Sequence, residues 1–189
     1  RDMIDFFVNQ RKKLFQMVHA ETMAKLANID IMTNLANRRG CENAFDELRN
    51  DDRVFGIICI DLNYLKLTND KYGHQEGDKL LVDFANVLAN TCLEDTYTIG
   101  RMGGDEFAVV IPATDKANIE EVIDRINKKC EEVNADRKPL PISFAYGYCM
   151  SDDEELKVSS DKNDLVERVY NIADERMYRH KAEMKAGRQ

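Results

Sequence analysis

Three acids fall where chemistry could be done. Asp61 closes the apolar run Val54-Phe-Gly-Ile-Ile-Cys-Ile60, while Asp105 and Glu106 follow a double glycine, Gly103-Gly104, between the runs Thr98-Ile-Gly-Arg-Met102 and Phe107-Ala-Val-Val-Ile111. A continuous apolar run is how a strand covered on both faces looks. Paired glycines between two such runs read as a hairpin turn that needs positive φ angles. Asp61 and Asp105 become neighbours if these strands pair. Hard oxygen ligands so placed suit magnesium, which commonly takes one or two carboxylates plus substrate phosphates. Phosphoryl and nucleotidyl transfer sites follow this plan, with charge and positioning supplying most of the catalysis. An ordinary hairpin with a solvated acidic tip is the plainer reading of Asp105 and Glu106 taken alone.

Asn69 and Asp78 flank Gly73-His74-Gln75-Glu76-Gly77 and together can recognise a base edge. A carboxylate accepts from guanine's ring N–H and amino group, an amide can donate and accept, and adenine offers a different edge. Either residue could instead serve a helix end, Asn69 closing one helix and Asp78 capping the next. Lys181 and Lys185, four apart on one helix face, could be solvated charges. His74 alone reads as a hydrogen-bonding loop residue.

The elements that must position these residues follow from pattern. Residues 2 to 28 hold no proline or glycine and are rich in helix formers, giving one helix of roughly 40 Å. Its apolar positions Ile4, Phe7, Leu14, Val18, Leu26 and Ile29 follow a heptad imperfectly, interrupted by Arg11, Thr22 and Lys25. A coiled-coil stalk over residues 1–29 is preferred to a helix folded back on its own domain. The domain proper then spans 30–189. A cap near Asn37 leads into a helix burying Cys41, Ala44, Phe45 and Leu48. After Asp61 come a short helical turn closed by Gly73, a loop over residues 73 to 78, and a periodic helix burying Leu80, Leu81, Phe84, Val87 and Leu88. Asp115 caps a helix carrying Ile119, Val122, Ile123 and Ile126. Residues 142 to 150 form a strand, and a helix over about 164 to 185 closes the chain. The order predicts an α+β fold, an antiparallel sheet with flanking helices.

Composition narrows the function classes. A net charge of -8 over 189 residues argues against nonspecific nucleic-acid binding, though a metal cation would still let the chain hold a phosphate-rich small molecule. The five cysteines are scattered without a C-x-x-C pair, so reduced core residues in a cytoplasmic setting are expected, and no zinc site. No apolar run reaches the roughly 20 residues that span a bilayer. The chain begins with Arg1, as a fragment of a longer parent would, a parent that could carry a membrane anchor.

Three strings, Asp30-x-x-Thr33-x-Leu35-x-Asn37-Arg38-Arg39, Asp61-Leu-Asn-Tyr-Leu-Lys66-x-x-Asn69-Asp70-x-x-Gly73-His74-x-x-Gly77-Asp78 and Arg101-Met-Gly103-Gly104-Asp105-Glu106-Phe107, together resemble the GGDEF domain of diguanylate cyclases. The likeness covers about residues 30 to 185. It implies a fold related to the palm of nucleotide cyclases and polymerases, and the joining of two GTP molecules into cyclic di-GMP with release of pyrophosphate. It implies Mg2+ (or Mn2+) on Asp61, Asp105 and the Leu62 carbonyl, with Glu106 supporting the metal and triphosphate. Asp105 and Glu106 are the candidates for taking the proton from the 3'-hydroxyl. Asn69 and Asp78 match the guanine-reading pair, with His74 in the same substrate-facing motif. Lys66, Lys181, Lys185 and the amides of Tyr64 and Leu65 match phosphate contacts. Two domains must face each other in a homodimer, since each holds one GTP, and an upstream sensor would set the stalk.

Departures from the family pattern are equally informative. Asn34 stands where glycine is usual, a mild change because asparagine tolerates positive φ. Lys185 replaces an arginine, turning a bidentate phosphate grip into a point charge. Glu94-Asp95-Thr96-Tyr97 stands where many members carry R-x-x-D, an allosteric product site, and an acid there should repel cyclic di-GMP. A catalytically silent GTP-binding module is the rival reading, although such relatives typically lose signature acids. A mixed guanine and adenine product is disfavoured by Asp78.

Overall fold

The computed structural model describes residues 2–92, 94–156 and 162–187. Its elements run α1 (Asp2–Leu26), α2 (Arg38–Arg49), β1 (Gly56–Leu62), α3 (Leu65–Tyr72), α4 (His74–Thr91), β2 (Thr98–Gly103), β3 (Glu106–Ile111), α5 (Lys116–Asn134), β4 (Phe144–Met150) and α6 (Lys162–Ala186). The strands form one antiparallel sheet in the order β2-β3-β1-β4, so the fold is α+β as the sequence predicts.

β1 lies between β3 and β4 with every residue buried, which is why its sequence is continuously apolar rather than alternating. Alternate residues divide two cores. Ile58, Ile60 and Leu62 join Phe107, Val109 and Ile111 beneath Leu80, Phe84, Leu88 from α4 and Ile119, Val122, Ile126 from α5. Ile57 and Cys59 join Ala108 and Val110 on the other face, beneath Cys41, Phe45 and Leu48 from α2 and Val169, Ala173 and Met177 from α6. The backbone of α6 rests directly on β4: a Cβ on Gly147 would stand 2.2 Å from the Met177 nitrogen and 2.3 Å from the Ala173 oxygen.

Local signals set several boundaries. Asn37 caps α2 by accepting from the Gly40 amide at 3.0 Å, and Asp115 caps α5 by accepting from Asn118 at 2.8 Å. Asn34 adopts φ 58, the left-handed conformation its side chain tolerates. β4 starts at Phe144, later than the apolar run, because the Asn134 side chain takes both backbone groups of Ile142. The loop expected over residues 73 to 78 is instead mostly helix. Gly73, at φ 88, ends α3 and begins α4 by itself, and His74 to Asp78 already belong to α4.

Along α1, Phe7, Leu14, Val18 and Leu26 are 59%, 62%, 54% and 61% exposed, so their apolar surface is not buried on the chain's own domain. The side chains of Ile4 and Lys25, also part of the expected heptad, lie outside the described residues. Among the described residues no helix is long and apolar enough to cross a membrane. All five cysteines are buried thiols without disulfide partners, and burial pushes the Cys41, Cys130 and Cys149 thiols up to about 12, which suppresses their reactivity.

Candidate active site

The three acids lie at the adjoining ends of β1 and β3. The register sets Asp61 directly opposite Glu106, while Asp105 sits in the two-residue turn before β3. Asp61 therefore shares its face of the sheet with Glu106, and the Asp105 turn is tied to the next residue of β1, the Leu62 amide donating to the Asp105 carbonyl at 2.8 Å. Like charges directly opposite one another destabilise a sheet. Two carboxylates in that relation, with a third acid in the adjoining turn, mark a place where a cation is favoured.

Asp61 is the buried member, only 6% exposed. Its Oδ2 accepts from Lys181 Nζ at 2.5 Å, bringing α6 to the strand end, and its Oδ1 is buried without a hydrogen-bond partner. Burial pushes the Asp61 carboxyl above the usual range; the Lys181 bond opposes this and the Asp105 charge reinforces it. The Glu106 carboxyl is also raised, first by partial desolvation, then by the charges of Asp174, Asp105 and Asp61, with Arg38 opposing. An orphaned carboxylate oxygen beside further acids fits a hard divalent cation. Asp61, Asp105 and the Leu62 carbonyl are the donors on offer. Among the described residues no three His, Cys, Asp or Glu side chains converge, so such an ion would draw its other ligands from water and phosphate.

The turn itself is braced. Gly104 takes φ 45 and is the one of the two glycines with a positive φ, Gly103 being paired opposite Glu106 in the ladder. Arg101 donates through Nε and Nη2 to the Gly104 carbonyl at 3.0 and 2.8 Å, and its Nη1 lies 3.4 Å from Asp30 Oδ1. Asp30 in turn accepts from the Thr33 amide and hydroxyl at 2.9 and 2.7 Å. Arg38 Nε donates to the Met102 carbonyl at 3.0 Å. Behind the acids, Asn63 is buried, donating through Nδ2 to Ser143 Oγ at 3.1 Å. The sequence reading gave no role to Asn63, Asp174 or Arg101. Asn63 directly follows the buried strand β1, and a polar residue at the end of so apolar a run is the signal in the sequence that marks it.

The second cluster forms around α3 and α4. Tyr64, at φ 68, turns the chain from β1 into α3, whose first turn has no side-chain cap, so the amides around Tyr64 and Leu65 suit an anion. Lys66 is exposed on that turn. Asn69 comes against α4 at Gly77, where an added Cβ would sit 1.9 Å from Asn69 Oδ1. Asp78 follows Gly77 and is exposed. Since α4 begins at His74 with Gly73 at its N-cap, Asp78 is not a cap, and Asn69 does not close α3. His74 is an exposed first residue of α4. Lys185 is exposed near the end of α6, and its charge acts on Asp61 in the same sense as that of Lys181.

Comparison with known proteins bears on the family and the fold. The family model "Diguanylate cyclase, GGDEF domain" matches residues 27–187. The chain is 28% identical over 179 residues to the probable diguanylate cyclase DgcJ of Escherichia coli K12, covering 92% of this chain and 32% of DgcJ. It is 37% identical over 108 residues to the cyclic di-GMP phosphodiesterase PdeR of the same organism, covering 56% and 16%. The chain thus spans a third or less of these relatives' lengths. Among solved structures, the coiled coil and GGDEF domain of DgcB from Caulobacter crescentus, in complex with c-di-GMP, shares the fold with TM-score 0.76 at 20% identity, covering 97% of this chain and 96% of that one. A microbial GGDEF domain bound to cyclic di-GMP matches with TM-score 0.67 at 28% identity, covering 85% and 94%. With the fold, the signature turn and the family match in agreement, the chain belongs to the diguanylate cyclase GGDEF domain family.

Proposed function

We propose that this chain is an active diguanylate cyclase domain, condensing two GTP into cyclic di-GMP and two pyrophosphates. The observation that carries this reading is the pairing of Asp61 with Glu106 beside the Asp105 turn, with one Asp61 oxygen buried and unpartnered. Bound magnesium, or manganese, supplies neutralisation of the triphosphate charge. Asp61, Asp105 and the Leu62 carbonyl would hold that ion. Asn69 and Asp78 read guanine, with His74 beside them. The α3 amides at Tyr64 and Leu65, with Lys66, Lys181 and Lys185, orient the phosphates. Asp105 or Glu106 accepts the proton as the 3'-oxygen of one GTP attacks the α-phosphorus of the other and pyrophosphate leaves. The raised Glu106 carboxyl suits it to proton transfer nearer neutrality than an ordinary acid.

Each domain offers one nucleotide site, so the two GTP molecules meet only across a homodimer. Residues 1–29 act as the dimerising stalk and 30–189 as the catalytic domain. An upstream sensor in a longer, cytoplasm-facing parent sets the fraction of competent dimers. The test is the nucleotide product from GTP and magnesium when dimerisation is enforced by a fused zipper. Cyclic di-GMP is expected. GTP binding without product would favour the silent regulatory module.

The Gly77 contact gives a first prediction. Gly77→Ala pushes the Asn69 amide off its position, so the KM for GTP should rise roughly tenfold, the value of one hydrogen bond, with kcat little changed. Alanine is the better helix former, so thermal stability should hold or rise. Steady-state kinetics with parallel melting checks this, and an unchanged KM would remove Asn69 from guanine recognition.

The product-site departure gives a second. Glu94 pairs with Arg125 at 3.2 Å and Tyr97 Oη accepts from Asn118 at 2.7 Å, so both positions are engaged by α5. Added cyclic di-GMP should therefore cause no noncompetitive inhibition through this segment. Inhibition that disappears in Glu94→Ala or Tyr97→Ala would show that the segment binds product after all.

A further inference from the structure

We propose that Lys181 is a built-in counter-ion of the acidic site, one that releases Asp61 to a divalent cation and moves to nucleotide phosphate as the metal and GTP bind together. This rests on the cyclase reading for the identity of the metal and nucleotide.

The geometry is specific to this pair. Asp61 is 6% exposed and spends one oxygen on Lys181 at 2.5 Å while the other has no partner. A buried carboxylate with Glu106 directly across the ladder needs positive charge beside it, and Lys181 supplies the charge in direct contact. The Lys181 side chain is 25% exposed, so its ammonium lies at the rim of the site with a path to solvent. Lysine presents a point charge on a flexible stem, so it can exchange one oxygen partner for another without the fixed fork geometry of arginine. A divalent cation arriving alone on Asp61 meets the ammonium's charge at close range. Phosphates relieve that conflict by taking the ammonium. Metal and GTP should consequently bind with positive coupling, and by linkage each should tighten the other by the same factor.

The test titrates the whole chain with Mn2+ alone, following the free ion by electron paramagnetic resonance, and repeats it with a non-hydrolysable GTP analogue. Lys181→Met removes the competing charge and should bind Mn2+ roughly tenfold tighter than the native chain without nucleotide, as expected for deleting a nearby like charge. Its coupling between Mn2+ and the analogue should shrink. Lys181→Gln, which can still donate to Asp61, should shift affinity in the same direction and covers the case where Lys181→Met fails to fold. Lys181→Arg keeps the charge and should match the native chain in Mn2+ affinity without nucleotide, the quantity that charge alone sets. Unchanged or weaker Mn2+ binding in Lys181→Gln overturns the proposal. Asp61→Asn separates the two levels: it should abolish Mn2+ binding, and if binding persists there the metal reading itself fails rather than the role of Lys181.

Discussion

Asp61→Asn is expected to slow cyclic di-GMP formation by at least about 10^3-fold, the scale on which removing a charge-stabilising group slows phosphoryl transfer, while leaving the fold intact. The substitution keeps shape and volume at a 6% exposed position but withdraws the charge that would hold the cation. Stability should change little, for two opposing reasons. The native carboxylate is disfavoured by burial, so losing its charge relieves a desolvation cost. Lys181 loses its partner, yet it is partly exposed and can turn to water, which avoids the heavy penalty of a stranded buried charge. Activity, melting temperature and Mn2+ affinity measured on one preparation check this. Activity lost only in step with unfolding would make Asp61 structural.

Removal of residues 1–26 should lower specific activity at micromolar protein by roughly 10^2-fold, the scale of effective-concentration gains from tethering, with recovery when a zipper replaces them. The exposed Phe7, Leu14, Val18 and Leu26 of α1 present apolar surface that a second copy can cover. In the intact chain, specific activity should climb with protein concentration until dimers saturate. Rates strictly proportional to concentration, unchanged by the truncation, would contradict a reaction shared between two domains.

What could be read from sequence was chiefly local. The Asn37 and Asp115 caps, the buried strand before Asp61, the glycine turn and the left-handed Asn34 each depend on a few neighbouring residues, and each is present in the fold. The family strings supplied the candidate site. The placement of Asp61 opposite Glu106, rather than Asp105, needed the register between two strands distant in sequence. The Lys181 contact spans 120 residues and depends on how α6 crosses β4, which glycine at 147 permits but does not announce. Arg101 reads as an ordinary strand residue until the fold brings Asp30 and the Gly104 carbonyl to its two ends. Gly73 and Gly77 both read as turn residues, which is why the sequence suggests a loop over residues 73 to 78. Only Gly73 makes one, and Gly77 serves instead as the place where Asn69 meets α4.

The most direct measurement is the product ratio from concentrated protein with GTP and magnesium, quantifying cyclic di-GMP and pyrophosphate beside an Asp105→Ala variant. Two pyrophosphates per cyclic di-GMP from the native chain, and neither product from the variant, is the predicted result. GTP consumed without cyclic di-GMP, or cyclic di-GMP formed equally well by Asp105→Ala, would contradict it.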